Sequence, residues 1–281
     1  MVGHKSRPMK NIIVPVDFSE QSEKALKVAA GLAKKHNASL FVLHMLELSP
    51  AIMANTEYMP PEHIVHLMKL NEKRFEEFLD KPYLKDVEIT PIIKHYKVFS
   101  EVNDVAKKHN ADLIVMGSHG VDGLEEIFIG SNTERVVRNA EVPVLVIKGD
   151  MENFKAERFV FACDFKEESV PSVKKAVDFA KKLKAELKLV YINTPADAFL
   201  SHEDAYKRIS KFLNIAQLGL EVDIYNDYTV EKGILNYAES QGADLIGIPT
   251  HGRKGLSHFF MGSLGEDIVN HSKIPVVTFK I

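Results

Sequence analysis

Two glycine-containing segments carry the groups in this sequence most capable of chemistry. The first joins residues 117–120 (Gly-Ser-His-Gly), by nine residues, to residues 130–133 (Gly-Ser-Asn-Thr). The second joins residues 249–252 (Pro-Thr-His-Gly), again by nine residues, to residues 262–263 (Gly-Ser). Glycine lets the backbone approach a ligand closely, and the N–H groups at the start of a helix attract anions. The spacing therefore predicts two phosphate-binding loops, with serine and threonine hydroxyls as additional donors.

These segments belong to an internal repeat. Residues 11–17 are NIIVPVD and residues 158–164 are RFVFACD, so that a short apolar run ends in Asp17 and again in Asp164. The correspondence resumes with ADLIVMGSHG and ADLIGIPTHG and closes with PVLVI and PVVTF. A helical pattern follows each aspartate, and Ser19 and Ser169 are its predicted N-caps.

Each copy contains five candidate strands that alternate with helical patterns. They span 12–16, 40–44, 88–93, 113–116 and 144–147 in the first copy, and 159–162, 187–192, 220–224, 245–248 and 276–279 in the second. Unbroken apolar runs suit strands buried on both faces, and intervening helices favour parallel crossovers. We therefore predict an α/β protein of two tandem, doubly wound parallel-sheet domains, residues 1–149 and 150–281. Ligands bind such sheets beyond the carboxyl ends of the strands, which places the aspartates and glycine loops on one rim.

With strand, aspartate and glycine loop in register, the chain resembles the universal stress protein family in its tandem two-domain form. Nucleotide-binding members carry the pattern G-x2-G-x9-G-S/T and an aspartate at the end of the first strand, and the first copy matches fully. The resemblance implies flavodoxin-like or Rossmann-like domains with strand order 3-2-1-4-5. It also implies a bound adenine nucleotide (ATP, or AMP or ADP), with Mg²⁺ as an optional companion.

The resemblance further implies which residues contact the nucleotide. The aspartate contacts adenine, the preceding residues line the base pocket, and the loop holds ribose and phosphates. In the first copy these residues are Pro15, Val16, Asp17, Met116, Gly117, His119, Gly120, Gly130, Ser131, Asn132 and Thr133. In the second copy they are Ala162, Cys163, Asp164, Ile248, His251, Gly252, Gly262, Ser263 and Leu264.

The two copies differ in ways that leave open which of them binds nucleotide. Pro249 replaces the first glycine of the motif and removes a backbone N–H. The loop over 121–129 has a formal charge of −3, whereas the loop over 253–261 has +2, which suits a phosphate better. Backbone donors act at closer range than loop charges, so the first site is modestly favoured and both can be occupied.

These features favour a nucleotide-binding, stress-response regulatory protein with at most slow ATP hydrolysis. The alternatives are a nucleotide-free regulatory scaffold and, less favoured, an ATP-cleaving enzyme; the sequence supplies no catalytic residue and no metal site. His119 and His251 are better placed to pack on ribose than to act as bases. Cys163, the single cysteine, is expected to line a pocket rather than to sense oxidants.

Composition and charge limit the classes of binding partner and the cellular compartment that are expected for this protein. The 281 residues carry a formal net charge of −3, which argues against bulk binding to nucleic acid or anionic membranes. One cysteine excludes an internal disulfide, and no apolar run approaches the roughly 18 residues of a membrane span, so a cytoplasmic protein is expected. In the strand order that the resemblance implies, the last strand of each copy is an apolar edge, and exposed edges invite pairing. The resemblance implies that these last strands meet, which predicts an intramolecular pseudo-dimer. A homodimer and protein partners of unknown identity stay open.

Overall fold

The computed structural model describes residues 8–46, 61–95, 98–118, 130–149, 151, 154–195, 199–250 and 263–281. Five predicted site residues lie outside these ranges: His119, Gly120, His251, Gly252 and Gly262. The helix that contains Ser263 and Leu264 is described, but not the side chains of those two residues.

Strands and helices alternate along the described chain. The first half comprises β1 (Asn11–Val16), α1 (Glu20–His36), β2 (Ser39–Leu46), α2 (Pro61–Leu79), β3 (Ile89–His95), α3 (Val98–Lys108), β4 (Leu113–Gly117), α4 (Ser131–Asn139) and β5 (Val144–Ile147). The second half comprises β6 (Arg158–Ala162), α5 (Val170–Leu183), β7 (Glu186–Asn193), α6 (His202–Ala216), β8 (Val222–Asn226), α7 (Val230–Ser240), β9 (Leu245–Thr250), α8 (Ser263–His271) and β10 (Val276–Lys280). Every predicted strand is present, although several ends differ by one or two residues.

The strands form one continuous sheet in the order β3-β2-β1-β4-β5-β10-β9-β6-β7-β8. Within each half all pairings are parallel, which confirms the predicted doubly wound α/β fold and the order 3-2-1-4-5. The order reverses between β1 and β4 and, in the second half, between β6 and β9. Crevices that can accept a ligand are therefore expected at the carboxyl ends of these two strand pairs.

Two apolar layers sandwich the sheet, and each layer continues across both halves. Side chains from α1, α2, α5 and α6 pack on one face. Side chains from α3, α4, α7 and α8 pack on the other. Because both faces are covered, strands such as β4 and β5 are buried along their whole length, as their unbroken apolar sequences require.

The halves join through β5 and β10, the last strand of each. These two strands run antiparallel, with Val146 opposite Val276 and Leu145 opposite Val277. The pairing removes two exposed apolar edges and confirms the predicted pseudo-dimer. Pro249, predicted to follow β9, lies inside it opposite Phe279 of β10. Among the described residues no helix combines the length and apolar character needed to cross a membrane.

Candidate functional site

The head of α4 stands on the carboxyl end of β4. Gly130 donates its backbone N–H to the Ser118 carbonyl (2.7 Å), and Thr133 Oγ1 donates to the Gly117 carbonyl (2.9 Å). The hydroxyl of Thr133, predicted to contact distal phosphates, is thus buried as an anchor of the helix. Gly130 occupies the N-cap position and has no side chain to cap the helix. Ser131, the next residue, is exposed, and Asn132 is half-buried. The N–H groups of the first helical turn have no acceptor within the helix, so this end can face an anion.

The packing of α1 against β4 leaves no room for a side chain at position 117, apart from any role of Gly117 in binding a ligand. A Cβ at this position would lie 2.7 Å from the carbonyl oxygen and 2.9 Å from the carbonyl carbon of Gln21 in α1. Both atoms are backbone, so the clash could be relieved only by moving the helix. The first glycine of the loop therefore sets how closely α1 approaches β4.

Gly117→Ala is expected to lower the free energy of unfolding by about 1–3 kcal/mol, because overpacking forces backbone shifts. Gly31→Ala is the matched control, since a Cβ at Gly31 in α1 meets no atom within 4 Å. That control should stabilise the protein by about 0.5–1 kcal/mol through helix propensity. Urea denaturation of the two variants measures both values; equal stability of Gly117→Ala and the unaltered protein would contradict the packing argument.

Asp17 follows β1 at the same end of the sheet as the head of α4. Its Oδ1 accepts hydrogen bonds from the backbone N–H of Ser19 (3.0 Å) and from Ser19 Oγ (2.5 Å). Ser19 Oγ in turn accepts from the Ser22 N–H, so it is the N-cap of α1, as predicted. Asp17 is half-buried. The aspartate and the helix head thus lie at the carboxyl ends of two neighbouring strands, β1 and β4.

Asp164, the equivalent residue after β6, lies in a more enclosed environment. It is fully buried, and its Oδ1 accepts from Ser169 Oγ (2.9 Å) and from the Lys166 N–H (3.2 Å). Ser169 stands at the N-cap of α5, but its hydroxyl makes no capping hydrogen bond to the helix, because it is directed to Asp164 instead. Asp164 Oδ2 has no hydrogen-bond partner among the described residues; Lys166 Nζ, 3.5 Å away, makes only an ion-pair contact.

A second buried polar atom without a partner lies on the neighbouring strand. Thr250 Oγ1, at the end of β9, makes no hydrogen bond within the described part of the chain. Phe161 of β6 and Gly247 of β9 are paired in register, and Asp164 and Thr250 each follow three residues later. A buried acceptor and a buried hydroxyl are costly without partners.

The phenylalanine after each aspartate was not among the predicted site residues. Phe18 and Phe165 both have left-handed backbone conformations, with φ of 65° and 53°. The Phe18 ring packs 5.3 Å from that of Phe78, and the Phe165 ring packs 5.2 Å from that of Phe212. Positive φ is costly for a bulky residue, so these aromatic contacts hold the turn in place. The repeated Asp-Phe pair was the sequence signal that could have revealed this role.

His44 braces the same turn in the first half. Its Nδ1 lies 3.0 Å from the Val16 carbonyl, and its ring lies 4.1 Å from that of Phe18. Burial lowers the pKa of His44 below its ordinary value, so the neutral ring, which donates from Nδ1 to the carbonyl, is favoured. His44 therefore supports the backbone that leads into Asp17.

Cys163 is a core residue. It is buried, and its Sγ accepts from the Phe165 N–H at 3.3 Å. Burial, followed by the charge of Asp164, raises the pKa of the thiol well above its ordinary value. A protonated, enclosed thiol is a poor nucleophile, so the structure does not favour a role for Cys163 as an oxidant sensor.

The other described residues predicted to line the base pocket or to hold the ribose and first phosphates divide between the two faces of the sheet. Val16 and Cys163 pack on the α1 and α5 face. Met116, Ala162 and Ile248 pack on the opposite face, where α4 and α8 lie. Pro15 is half-buried. Because side chains alternate along a strand, the predicted site residues of each half lie on both faces of the sheet.

Comparison with known proteins identifies the family. The model of the universal stress protein family matches residues 8–148 and 221–280. The chain belongs to the universal stress protein family.

Individual universal stress proteins match about half of the chain or nearly the whole of it. Universal stress protein MJ0531 of Methanocaldococcus jannaschii is 34% identical over 146 residues, which cover 50% of this chain and 82% of that protein. Universal stress protein Slr1230 of Synechocystis is 25% identical over 300 residues, covering 97% of this chain and 100% of that one. The latter match supports the tandem form.

A solved universal stress protein shares the fold. The crystal structure of the protein from Archaeoglobus fulgidus DSM 4304 superposes with a TM-score of 0.69 at 22% sequence identity, covering 97% of both chains. The likeness extends across both halves, and it supports the tandem α/β architecture.

Proposed function

We propose that this universal stress protein is an adenine-nucleotide-binding regulatory protein, and that nucleotide occupancy sets its conformation or its choice of partner. The observation that supports the proposal most directly is that the head of α4 and Asp17 lie at the same end of the sheet. The hydrogen bond from the Gly130 N–H to the Ser118 carbonyl places the helix head there (2.7 Å). Donors for a phosphate and an acceptor for a base thus lie at the ends of neighbouring strands, where the strand order reverses.

The second half supplies complementary support. Asp164 Oδ2, which makes no hydrogen bond among the described residues, would accept one from the exocyclic amine of adenine. Thr250 Oγ1 would bond a ribose or phosphate oxygen. The head of α8, which begins at Ser263, would face the phosphates as the head of α4 does in the first half. We therefore propose one site in each half.

Calorimetric titration with ATP, with and without Mg²⁺, tests this proposal, and GTP serves as the competitor. The unaltered protein should release heat and bind two equivalents, whereas Asp17→Ala and Asp164→Ala should each bind one. At free ATP of 100 times the dissociation constant, each site should stabilise the fold by about 2.7 kcal/mol. Thermal denaturation with increasing ATP measures that shift.

Asp80→Ala is the matched control, because it removes an exposed carboxylate just after α2. It should bind both equivalents. If millimolar ATP produces neither heat nor thermal stabilisation in the unaltered protein, the proposal is wrong and a nucleotide-free regulatory scaffold is favoured. Loss of binding in Asp80→Ala as large as in Asp17→Ala would show that the effect is not specific to the crevice.

A further inference from the structure

Two lysines occupy equivalent positions at the ends of the last strands. Lys148 follows PVLVI and Lys280 follows PVVTF in the repeated sequence. The strands that precede them, β5 and β10, are those that pair the two halves. Each lysine can therefore reach across the pairing into the other half.

Lys148 reaches the carboxyl end of α8. Its Nζ donates a hydrogen bond to the carbonyl of Asn270, in the last turn of that helix. The last carbonyls of a helix have no partner within it and form the negative end of its dipole. Partial burial lowers the pKa of Lys148 to about 8, since the charged form is poorly solvated there. An ammonium group is thus held at an enclosed helix end of the opposite half.

Lys280 makes the reciprocal contact. Its Nζ lies 3.4 Å from the carbonyl of Asn139, the last residue of α4. Asn103 Nδ2 donates to the same carbonyl at 3.2 Å. The helix α4 also packs against β10, the strand that ends in Lys280. Each half therefore supports the carboxyl end of the other half's candidate phosphate-binding helix.

Hydrogen bonds connect this support to the first site. The Gly130 N–H at the head of α4 donates to the Ser118 carbonyl (2.7 Å), and the Ser118 N–H donates to the Ile147 carbonyl (3.1 Å). Lys148 is the next residue, and its side chain ends on α8. A nine-residue helix is a short rigid rod of about 13 Å, so a displacement of its head also moves its carboxyl end.

We propose that Lys148 and Lys280 are positioning residues that couple the two sites, each holding the phosphate-binding helix of the opposite half. This inference rests on the proposed function for the coupling of ligands, but the crossed support of the helices can be tested without any ligand. Ligand binding at the head of one helix would alter the lysine contact at the carboxyl end of that helix. Because the lysine lies at the end of β5 or β10 of the other half, the change would be transmitted to the other site.

Hydrogen–deuterium exchange without nucleotide tests the crossed support. Lys148→Met should speed exchange in residues 263–271 about tenfold while leaving residues 131–139 unchanged, because a hydrogen bond from a charged donor is lost. Lys280→Met should speed exchange in residues 131–139 and leave residues 263–271 unchanged. Lys155→Met, an exposed lysine near the junction of the halves, should change neither segment. Faster exchange in both helices alike, or in neither, would overturn the proposal.

ATP titration of variants that retain a single site then tests whether each lysine supports nucleotide binding in the opposite half, which the coupling requires. In the Asp17→Ala background, which retains only the second site, Lys148→Met should weaken ATP binding about fivefold and Lys280→Met should not. In the Asp164→Ala background, which retains only the first site, Lys280→Met should weaken ATP binding about fivefold and Lys148→Met should not. Equal weakening in both backgrounds would indicate general loosening of the fold and would overturn the coupling. If the unaltered protein binds no ATP, the proposed function and the coupling both fail, and the exchange pattern alone decides whether the lysines support the helices.

Discussion

Val277→Asp is expected to lower the free energy of unfolding by more than about 4 kcal/mol, which is exceptional for a single substitution. Val277 is fully buried in β10, between Leu145 of β5 and Gly247 of β9. A carboxylate at this position would be enclosed without a partner, and desolvation of an unpaired charge is among the largest costs in a protein interior. Since the pairing of β5 with β10 joins the halves, that junction should open first.

Val277→Thr is the matched control, because threonine has a similar shape and introduces no charge. It should cost considerably less than the aspartate variant. Guanidinium denaturation measures the stabilities, and hydrogen exchange of residues 144–147 reports on the junction itself. If Val277→Asp unfolds with the same profile as the unaltered protein, the buried antiparallel pairing is not the junction between the halves.

Phe165→Ala is expected to lower the free energy of unfolding by about 3–5 kcal/mol, the usual cost of truncating a buried phenylalanine. Phe165 is 2% exposed, and its ring contacts those of Phe212 in α6 and Tyr191 in β7. The alanine variant loses these contacts and still has to adopt a positive φ. The turn that carries Asp164 would then lack the aromatic contacts that stabilise its conformation.

Phe199→Ala provides the comparison, because that ring is 60% exposed just before α6. Its removal should change stability by no more than about 0.5 kcal/mol. Chemical denaturation of both variants gives the difference. A cost for Phe165→Ala as small as that for Phe199→Ala would mean that the aromatic contacts do not maintain the turn.

The internal repeat made most of the architecture predictable. Apolar runs without alternation specify strands buried on both faces, and this is a local property of the sequence. Two such series in register predicted two tandem copies, whereas the strand order and the pairing of β5 with β10 were implied by the resemblance to universal stress proteins. Strand ends were less predictable: β9 continues through Pro249 because β10 lies alongside it to Lys280, which local propensity does not report.

The residue types of the candidate sites were predictable from the sequence, but the burial and hydrogen bonding of their side chains were not. Asp17 and Asp164 occupy equivalent positions in the repeat, yet only Asp164 is fully buried with an oxygen lacking a hydrogen bond. Burial of this kind depends on elements that are distant in the sequence, such as α6, whose Phe212 packs against Phe165 beside Asp164. The role of Phe18 escaped prediction because its positive φ is visible only in the folded backbone.

The sequence by itself determined the repeat, the order of helices and strands, and the rim on which the aspartates and glycine segments must lie, since these follow from local periodicity and the geometry of parallel sheets. The tertiary structure alone decided which carboxylate oxygen is enclosed and which helix each terminal lysine supports. Lys148 meets Asn270, and Lys280 meets Asn139, only because the chain folds its two last strands together. Contacts between residues so far apart depend on the packing of the whole sheet, and no short segment of the sequence encodes them.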